Sequence, residues 1–242
     1  METAVIGDIH GRIEVMVAAL AKHDRVVFVG DYVDSFDRTK LDQTLCLTMA
    51  LKEHNGDSII CLRGNHEESY IDPDARCSGW NHIMNTHIMS IRGEVQALPV
   101  YTWVDGILIT HAGISQHFID EVLVDKYLYS SNLETTELVS RYLNCAFHQE
   151  VGYARGGQKS CGGLMWCDFF EEFGPVAGLR QIFGHTGYRP ILRDKDSPDG
   201  LRQGKGVLTD GDNWNVDCLD HCTEYVVITD GVVTIEELEI CR

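Results

Sequence analysis

The 242-residue sequence is poor in basic side chains, and this deficit limits the partners it can have. It contains 20 lysines and arginines against 37 aspartates and glutamates, which gives a formal net charge of −17. Binding along a nucleic-acid backbone requires a basic surface, so we expect no general affinity for nucleic acids. A phosphate-bearing substrate remains compatible with this charge, because bound cations reverse the sign of the local field.

Long apolar segments are also missing from the sequence. No apolar run approaches the roughly 20 residues that a membrane-spanning helix needs. The first residues, METAVIGDIHG, have neither the basic nor the apolar region of a secretory signal. The nine cysteines are odd in number and irregular in spacing, which favours reduced thiols. These observations predict a cytoplasmic protein that does not associate with membranes.

Repeats, low-complexity tracts and an obvious interdomain linker are absent as well. With 44% hydrophobic and 24% charged residues, the sequence has the composition of a soluble globular protein. We predict a single domain over residues 1–242, with a helical insert at about 70–97. The segment GYARGGQKSCGG, rich in glycine and polar residues, predicts a mobile loop at about 152–163.

The first third of the sequence alternates between strand-like and helix-like patterns. The predicted elements are strands at 2–7, 25–30 and 58–62, and helices at 12–22 and 39–54. This βαβαβ order predicts parallel strands joined by right-handed crossovers. Further along, the patterns predict a hairpin at 99–110, two helices within 115–148, and a second sheet from about 181 onward.

Each of the three predicted parallel strands ends in a polar motif: GDIHG at 7–11, GDYVD at 30–34 and GNHE at 64–67. Ligand sites in open α/β sheets lie off the carboxyl ends of the strands. Asp8 and His10 are two residues apart, so extended backbone points them to the same side. Carboxylate oxygen and imidazole nitrogen suit Mn, Fe or Zn. Turn and cap preferences explain one such ending, but not three.

Two further histidines follow apolar runs later in the sequence. His111 lies in THAG at 110–113, after ILIT, and His185 lies in GHT at 184–186, after QIF. A single histidine in such a place is usually structural. Because two of them accompany the three motifs above, we interpret His111 and His185 as additional metal ligands.

The ordered set GDIHG, GDYVD, GNHE, THAG and GHT resembles the motifs of the calcineurin-like metallophosphoesterases. It is most similar to the phosphoprotein-phosphatase branch, which includes bacterial and bacteriophage phosphatases and the symmetrical diadenosine tetraphosphate hydrolases. The matched motifs span residues 7–187, and LMWCD at 164–168 resembles the Trp-x-Asp segment of that branch. The resemblance implies an α/β fold in which two sheets form a sandwich flanked by helices (α-β-β-α).

The resemblance also implies a site for two divalent metal ions, with manganese as the first expectation and iron or zinc as alternatives. It assigns Asp8 and His10 to the first metal and Asp31 to a bridging position. The second metal takes Asn65, His111 and His185. By the same resemblance, His66 is the general acid, and Asp34 is the carboxylate that orients it.

The sequence departs from that branch directly after Asp34. The usual pattern is GDxVDRG, whereas residues 35–38 here are SFDR. The arginine that normally holds a substrate phosphate oxygen is therefore absent from its place. A guanidinium binds phosphate in a bidentate manner, so another basic residue is expected to replace it. The candidates are Arg38, Arg63, Arg155 and Lys159.

The expected function is metal-dependent hydrolysis of phosphomonoesters by attack of a metal-bridged hydroxide, as the resemblance implies. The first expectation is a serine/threonine protein phosphatase-like enzyme, whose partner is a phosphorylated protein or a small phosphate ester. An alternative is cleavage of a dinucleoside polyphosphate or of a nucleotide phosphodiester. A non-catalytic binding scaffold is a more remote alternative, because degenerate copies normally lose metal ligands and this sequence retains the whole set.

Overall fold

The computed structural model describes residues 1–35, 43–72, 77–123, 135–145, 150–187 and 206–240. Its strands are β1 (Glu2–Ile6), β2 (Val26–Phe28), β3 (Ile59–Cys61), β4 (Tyr101–Val104), β5 (Ile107–Thr110), β6 (Gln181–Phe183), β7 (Leu208–Asp210), β8 (Asn213–Asn215), β9 (Glu224–Thr229) and β10 (Val232–Glu237). Its α-helices are α1 (Ile13–Lys22), α2 (Gln43–Glu53), α3 (Asn65–Ile71), α4 (His82–Ser90), α5 (Arg92–Ala97), α6 (Gln116–Phe118) and α7 (Thr135–Leu143). Among the described residues, no helix has the length and apolarity needed to cross a membrane.

The first sheet has the strand order β10-β9-β1-β2-β3. Strands β1, β2 and β3 run parallel, with Ala4 opposite Val26 and Val26 opposite Ile59. The βαβαβ prediction for the first third is thereby confirmed. The amino-terminal part of the helix predicted at 39–54, residues 39–42, lies outside the described residues.

The second sheet has the order β4-β5-β6-β8-β7. The predicted hairpin is confirmed: β4 and β5 are antiparallel and joined by Asp105 and Gly106. These two residues have φ angles of 48° and 77°, the left-handed values that a tight hairpin turn requires. The hairpin therefore belongs to the second sheet, together with strands from later in the chain.

The last two strands differ from expectation, because β9 and β10 join the first sheet rather than the second. Strand β9 pairs antiparallel with β1. Its run YVVI is buried on both faces. Val226 packs in the cluster between the sheets, and Val227 packs in the cluster that includes the first helices. Such a doubly buried run carries no alternation that would show which sheet it joins.

Three hydrophobic clusters define the layers of the fold. Val5, Val27 and Ile109 belong to a cluster between the two sheets. Alternate residues of the first sheet, such as Ile6, pack with α1 and α2. On the far side, Leu108 packs with α7. The order helix, sheet, sheet, helix confirms the predicted α-β-β-α sandwich.

Two segments singled out in the sequence lie against this sandwich. The region of the predicted insert contains the end of α3 and all of α4 and α5, with residues 73–76 outside the described part. The segment predicted as a mobile loop contains a 3₁₀ turn at Tyr153–Arg155 and a bridge between Gly152 and Lys159. Its mobility stays a prediction. The two helical stretches within 115–148 are α6, continued by a π-helical turn at Ile119–Leu123, and α7; residues 124–134 and 146–149 lie outside the described part.

Candidate metal centre

The candidate site forms where strands from both sheets end at the same edge of the sandwich. Asp8, Asp31 and Asn65 follow β1, β2 and β3 of the first sheet. His111 follows β5 of the second sheet directly, and His185 lies two residues after β6. The carboxylate of Asp8 accepts the backbone N–H of His185 at 3.0 and 3.1 Å, across 177 positions of sequence. The site is therefore built across the junction of the two sheets.

Asp31 lies at the centre of the site and belongs to two groups of possible metal ligands. One group is Asp31 with His10 and His66, and the other is Asp31 with His111 and His185; within each, the ligand atoms lie within 4.8 Å of one another. Asp31 Oδ2 is 3.7 Å from His10 Nε2 and 3.5 Å from His111 Nε2. A carboxylate shared between two imidazole-containing groups fits a pair of divalent cations.

Asn65 lies beside the second of these groups. Its side-chain oxygen is 2.7 Å from His111 Nε2 and 3.1 Å from His185 Nδ1. Four of the six sequence-predicted ligands thus belong to these two groups, Asn65 contacts the second group, and Asp8 contacts it through the backbone of His185. Their assignment to individual metals stays a prediction, since His66 lies as close to Asp31 in the first group as the expected ligand His10 does.

Backbone carbonyl groups fix the orientation of two of the histidine rings. His10 Nδ1 is 2.8 Å from the carbonyl oxygen of Val33, and His111 Nδ1 is 3.0 Å from that of Val29. In each ring Nδ1 donates its proton to this oxygen, so Nε2 carries the lone pair on the side of Asp31. A hydrogen bond from the ring nitrogen that faces away from the metal position is characteristic of metal-binding histidines.

The electrostatics of the site also fit bound cations. Burial, reinforced by the neighbouring carboxylates, raises the pKa of Asp31 and of Asp8 well above the usual range. Burial lowers the pKa of His10 strongly and that of His111 to about 3, so both rings are neutral at physiological pH. Neutral imidazoles are the form that divalent cations require of histidine ligands, and a cation placed among the crowded carboxyl groups would favour their ionised form.

Glu67 organises the backbone around Asp31, a role that the sequence did not reveal. Its fully buried carboxylate accepts four backbone N–H groups. Oε1 is 2.7 Å from the nitrogen of Tyr32 and 3.2 Å from that of Val33. Oε2 is 2.9 Å from the nitrogen of Asp31 and 3.0 Å from that of Gly64. One side chain thereby ties the loop after β2 to the beginning of α3.

The backbone of the site is held in uncommon conformations. His10, Asp31, Asp34 and His185 have φ angles of 43°, 53°, 59° and 71°. Residues other than glycine rarely adopt such values, and they persist where surrounding contacts impose them. The motif glycines serve close packing: a Cβ atom at Gly64 or Gly184 would collide with the carboxylate of Asp31 or Asp8, respectively.

The expected acid and its partner lie beside the shared carboxylate. His66 Nδ1 is 3.0 Å from Asp34 Oδ2. The backbone N–H of His66 donates to Asp31 Oδ1 at 3.0 Å. His66, His10, Asn65 and His185 are among the residues that line a cleft of about 420 Å³. The arrangement supports the predicted roles of His66 and Asp34, which stay predictions.

The candidate phosphate-binding residues differ in their positions. Arg155 lines the cleft, its Nε 2.9 Å from the buried carboxylate of Asp168 and its Nη2 donating to Thr186 at 2.8 Å. Arg63 instead pairs with Glu68 at 2.8 Å and donates to the carbonyl of Gln96. Lys159 is exposed. Arg38 lies outside the described residues.

Two further residues at the site were missed by the sequence reasoning. Tyr70 lies one helical turn after His66 in α3, and its hydroxyl donates a hydrogen bond to Asp34. Asp217 lines the cleft, and burial raises its pKa to about 6. It follows the end of β8, so the strand-end rule that identified Asp8 and Asp31 could have found it once β8 was recognised.

Comparisons with known proteins agree with this geometry. A family model described as calcineurin-like phosphoesterase matches residues 1–188. The structure is similar to that of the cold-active protein-tyrosine phosphatase of a psychrophilic Shewanella species, with a TM-score of 0.55, 17% identity, and coverage of 98% of this chain and 80% of that one. It is also similar to a protein serine/threonine phosphatase from Saccharomyces cerevisiae, with a TM-score of 0.50, 16% identity, and coverage of 100% and 81%.

Proposed function

We propose that this chain, which belongs to the calcineurin-like phosphoesterase family, hydrolyses phosphomonoesters as a protein phosphatase-like enzyme. The family match confirms the metal-dependent phosphoesterase class that the motifs predicted. The observation that carries the finer proposal is the pairing of His66 with Asp34 beside Asp31. An alkoxide leaving group needs a proton, whereas the phosphate leaving group of an anhydride does not, so an oriented imidazole favours an alkyl phosphoester, such as that of serine or threonine, over an anhydride.

The residues present fit two divalent cations, and we propose that both are manganese ions. The proposed ligands are Asp8, His10, Asp31, Asn65, His111 and His185. Such cations, when bound, neutralise phosphate charge and acidify a coordinated water. The mixed set of oxygen and nitrogen donors suits manganese, iron or zinc better than magnesium.

His66 acts as the proton donor in this proposal. Its Nδ1–H donates to Asp34, and its Nε2 carries the proton that passes to the leaving oxygen as the ester P–O bond breaks. Asp34 accepts the hydrogen bond from Nδ1 and keeps the ring in one orientation. Water supplies the oxygen that enters the phosphate product.

Arg155 takes the place of the arginine missing after Asp34. Its contacts with Asp168 and Thr186 hold the guanidinium plane at the cleft wall. A planar guanidinium fixed in this way binds phosphate oxygens with little loss of side-chain entropy. Replacing Arg155 by lysine is therefore expected to raise KM for a phosphomonoester about tenfold. Lysine keeps the positive charge, but it lacks the planar pair of N–H donors that binds two phosphate oxygens at once.

The partner in this proposal is a phosphorylated protein or a small phosphate ester. A cytoplasmic location belongs to the same proposal. The eight cysteines of the described residues are all free thiols, which supports it.

The first experiment measures phosphate release by chelator-stripped protein with and without added manganese. Substrates are p-nitrophenyl phosphate, phosphoserine and phosphotyrosine peptides, bis(p-nitrophenyl) phosphate and diadenosine tetraphosphate. Manganese-dependent release from the monoesters is the expected result, and the ratio between the two peptides assigns the protein substrate class. Turnover of the diester or the dinucleotide without turnover of any monoester would replace the proposal with the alternative one.

A further inference from the structure

We infer that Tyr70 is a positioning residue for the proposed proton donor, acting on His66 through Asp34. The inference rests on the proposed function, which assigns His66 as the donor. It also gives a role to residues 77–81, which directly precede α4, because this segment contacts Tyr70 and its neighbours.

The two side chains that hold Asp34 come from one face of α3. His66 and Tyr70 are four residues apart, which places them one above the other on a helix. His66 Nδ1 lies 3.0 Å from Asp34 Oδ2, and the Tyr70 hydroxyl donates to Asp34 Oδ1. The side chain of Asp34 is fully buried. Each carboxylate oxygen therefore has its own partner, and the plane of the carboxylate is fixed by both.

The hydroxyl of Tyr70 is itself held in one orientation. The backbone N–H of Asn81 donates to the Tyr70 oxygen at 3.1 Å, so the hydroxyl proton remains available for Asp34. The ring of Trp80 stacks on the Tyr70 ring, with centroids 5.7 Å apart and planes 19° apart. Burial and the neighbouring Asp34 raise the pKa of Tyr70, which keeps the hydroxyl protonated.

The segment 77–81 touches the site at two more points. Gly79 has a φ of 86°, and a Cβ atom there would lie 3.1 Å from the Cβ of Asp34, so the segment packs directly on this residue. Cys77 Sγ lies 3.1 Å from the side-chain nitrogen of Asn65. These contacts make the segment a support for the acid pair rather than a peripheral connection.

The consequence for His66 follows from this chain of contacts. With the Tyr70 hydroxyl in place, Asp34 Oδ2 faces His66 Nδ1, and Nε2 is directed away from the pair. Without the hydroxyl, the carboxylate loses one of its two hydrogen bonds with α3 and the imidazole loses its alignment. Proton donation then suffers, while binding of the phosphate group is left unchanged.

The kinetic test uses Tyr70→Phe, which keeps the ring that stacks on Trp80. We expect kcat/KM for a phosphoserine peptide to fall about tenfold and that for p-nitrophenyl phosphate to fall less than about twofold, because only the poorer leaving group depends on the proton. In a His66→Asn background, Tyr70→Phe should cause no further loss. Equal losses on both substrates, or losses that multiply in the double variant, would overturn the inference.

A second measurement needs no turnover: the side-chain ¹⁵N signals of histidine in metal-free protein. Tyr70→Phe should shift the signals of His66, which are assigned from their absence in His66→Asn. The matched control is Tyr225→Phe, because the Tyr225 hydroxyl lies 2.8 Å from His23 Nε2. This pair lies beside the amino-terminal end of β1. The control variant should shift the His23 signals and leave the His66 signals unchanged.

The two measurements separate the inference from the function it rests on. Unshifted His66 signals in Tyr70→Phe overturn the role of Tyr70, whatever the kinetics show. Shifted signals in a protein without phosphomonoesterase activity support the link from Tyr70 to His66 and refute the proposed function.

Discussion

Replacing Glu67 by glutamine tests whether this buried carboxylate holds the loop that carries Asp31. Glutamine is nearly isosteric, but only one of its two terminal atoms accepts hydrogen bonds. In either amide orientation the NH₂ group faces two of the four backbone N–H groups, those of Tyr32 and Val33 or those of Asp31 and Gly64. Two hydrogen bonds to a charged acceptor are lost, at about 1.5–3 kcal/mol each.

The expected loss of unfolding free energy is therefore about 3–6 kcal/mol. We expect the lower part of that range in metal-free protein, because Glu67 also repels Asp8 and Asp31 and its neutralisation relieves that repulsion. Burial raises the pKa of Glu67 itself, and the N–H groups of Gly64, Tyr32 and Asp31 oppose that rise. These N–H groups therefore favour the charged carboxylate that glutamine cannot provide.

The assay is urea unfolding at pH 7, followed by tryptophan fluorescence. Glu94→Gln, at an exposed position of α5, is the control and should change the unfolding free energy by less than about 0.5 kcal/mol. If Glu67→Gln does not fold, Glu67→Asp provides the second variant, which retains the charge but shortens the reach. A glutamine variant within about 1 kcal/mol of the wild type would refute the reasoning.

Three further predictions concern the metal centre. Asp31→Asn should abolish manganese-dependent turnover and lower the number of manganese ions retained in elemental analysis, whereas Asp24→Asn, at an exposed position, should change neither. Manganese affinity should increase with pH, because burial raises the pKa of Asp8 and of Asp31 and a bound cation must displace their protons. An affinity that calorimetry finds unchanged across the pH range in which the protein stays folded would contradict this. Chelation should lower the melting temperature, since a cation at 100 times its Kd adds about 2.7 kcal/mol to the stability; an unchanged melting curve would argue against tight binding.

Much of the fold was predictable because the signals in the first third of the sequence are local. Strand β1 was predicted at 2–7 and lies at Glu2–Ile6, and α1 was predicted at 12–22 and lies at Ile13–Lys22. Apolar runs followed by Gly-Asp motifs indicated both the strands and the positions of Asp8 and Asp31 at the strand ends. The proximity of the six proposed ligands was predictable because each lies in a short motif at the end of an apolar run, whereas their roles as ligands were implied by the resemblance and stay a proposal.

The features that the sequence did not predict depend on contacts between residues distant in sequence. The antiparallel pairing of β9 with β1 joins the two ends of the chain, and no local pattern specifies it. Glu67 was visible in GNHE, but the four N–H groups that it binds became known only from the folded loop. Asp34 and Tyr70 are 36 residues apart, so their contact was equally hidden.

The contact between Asp8 and His185 has a consequence for how the protein is made. A ribosome adds about 5–20 residues per second, so roughly 9–35 s pass between the synthesis of these two residues, which are 177 positions apart. During that interval the nascent chain already presents Asp8, His10 and Asp31, but the last histidine of the site does not yet exist. The complete site can therefore form only after His185 has been synthesised, and until then the nascent chain offers an incoming cation only part of the proposed ligand set.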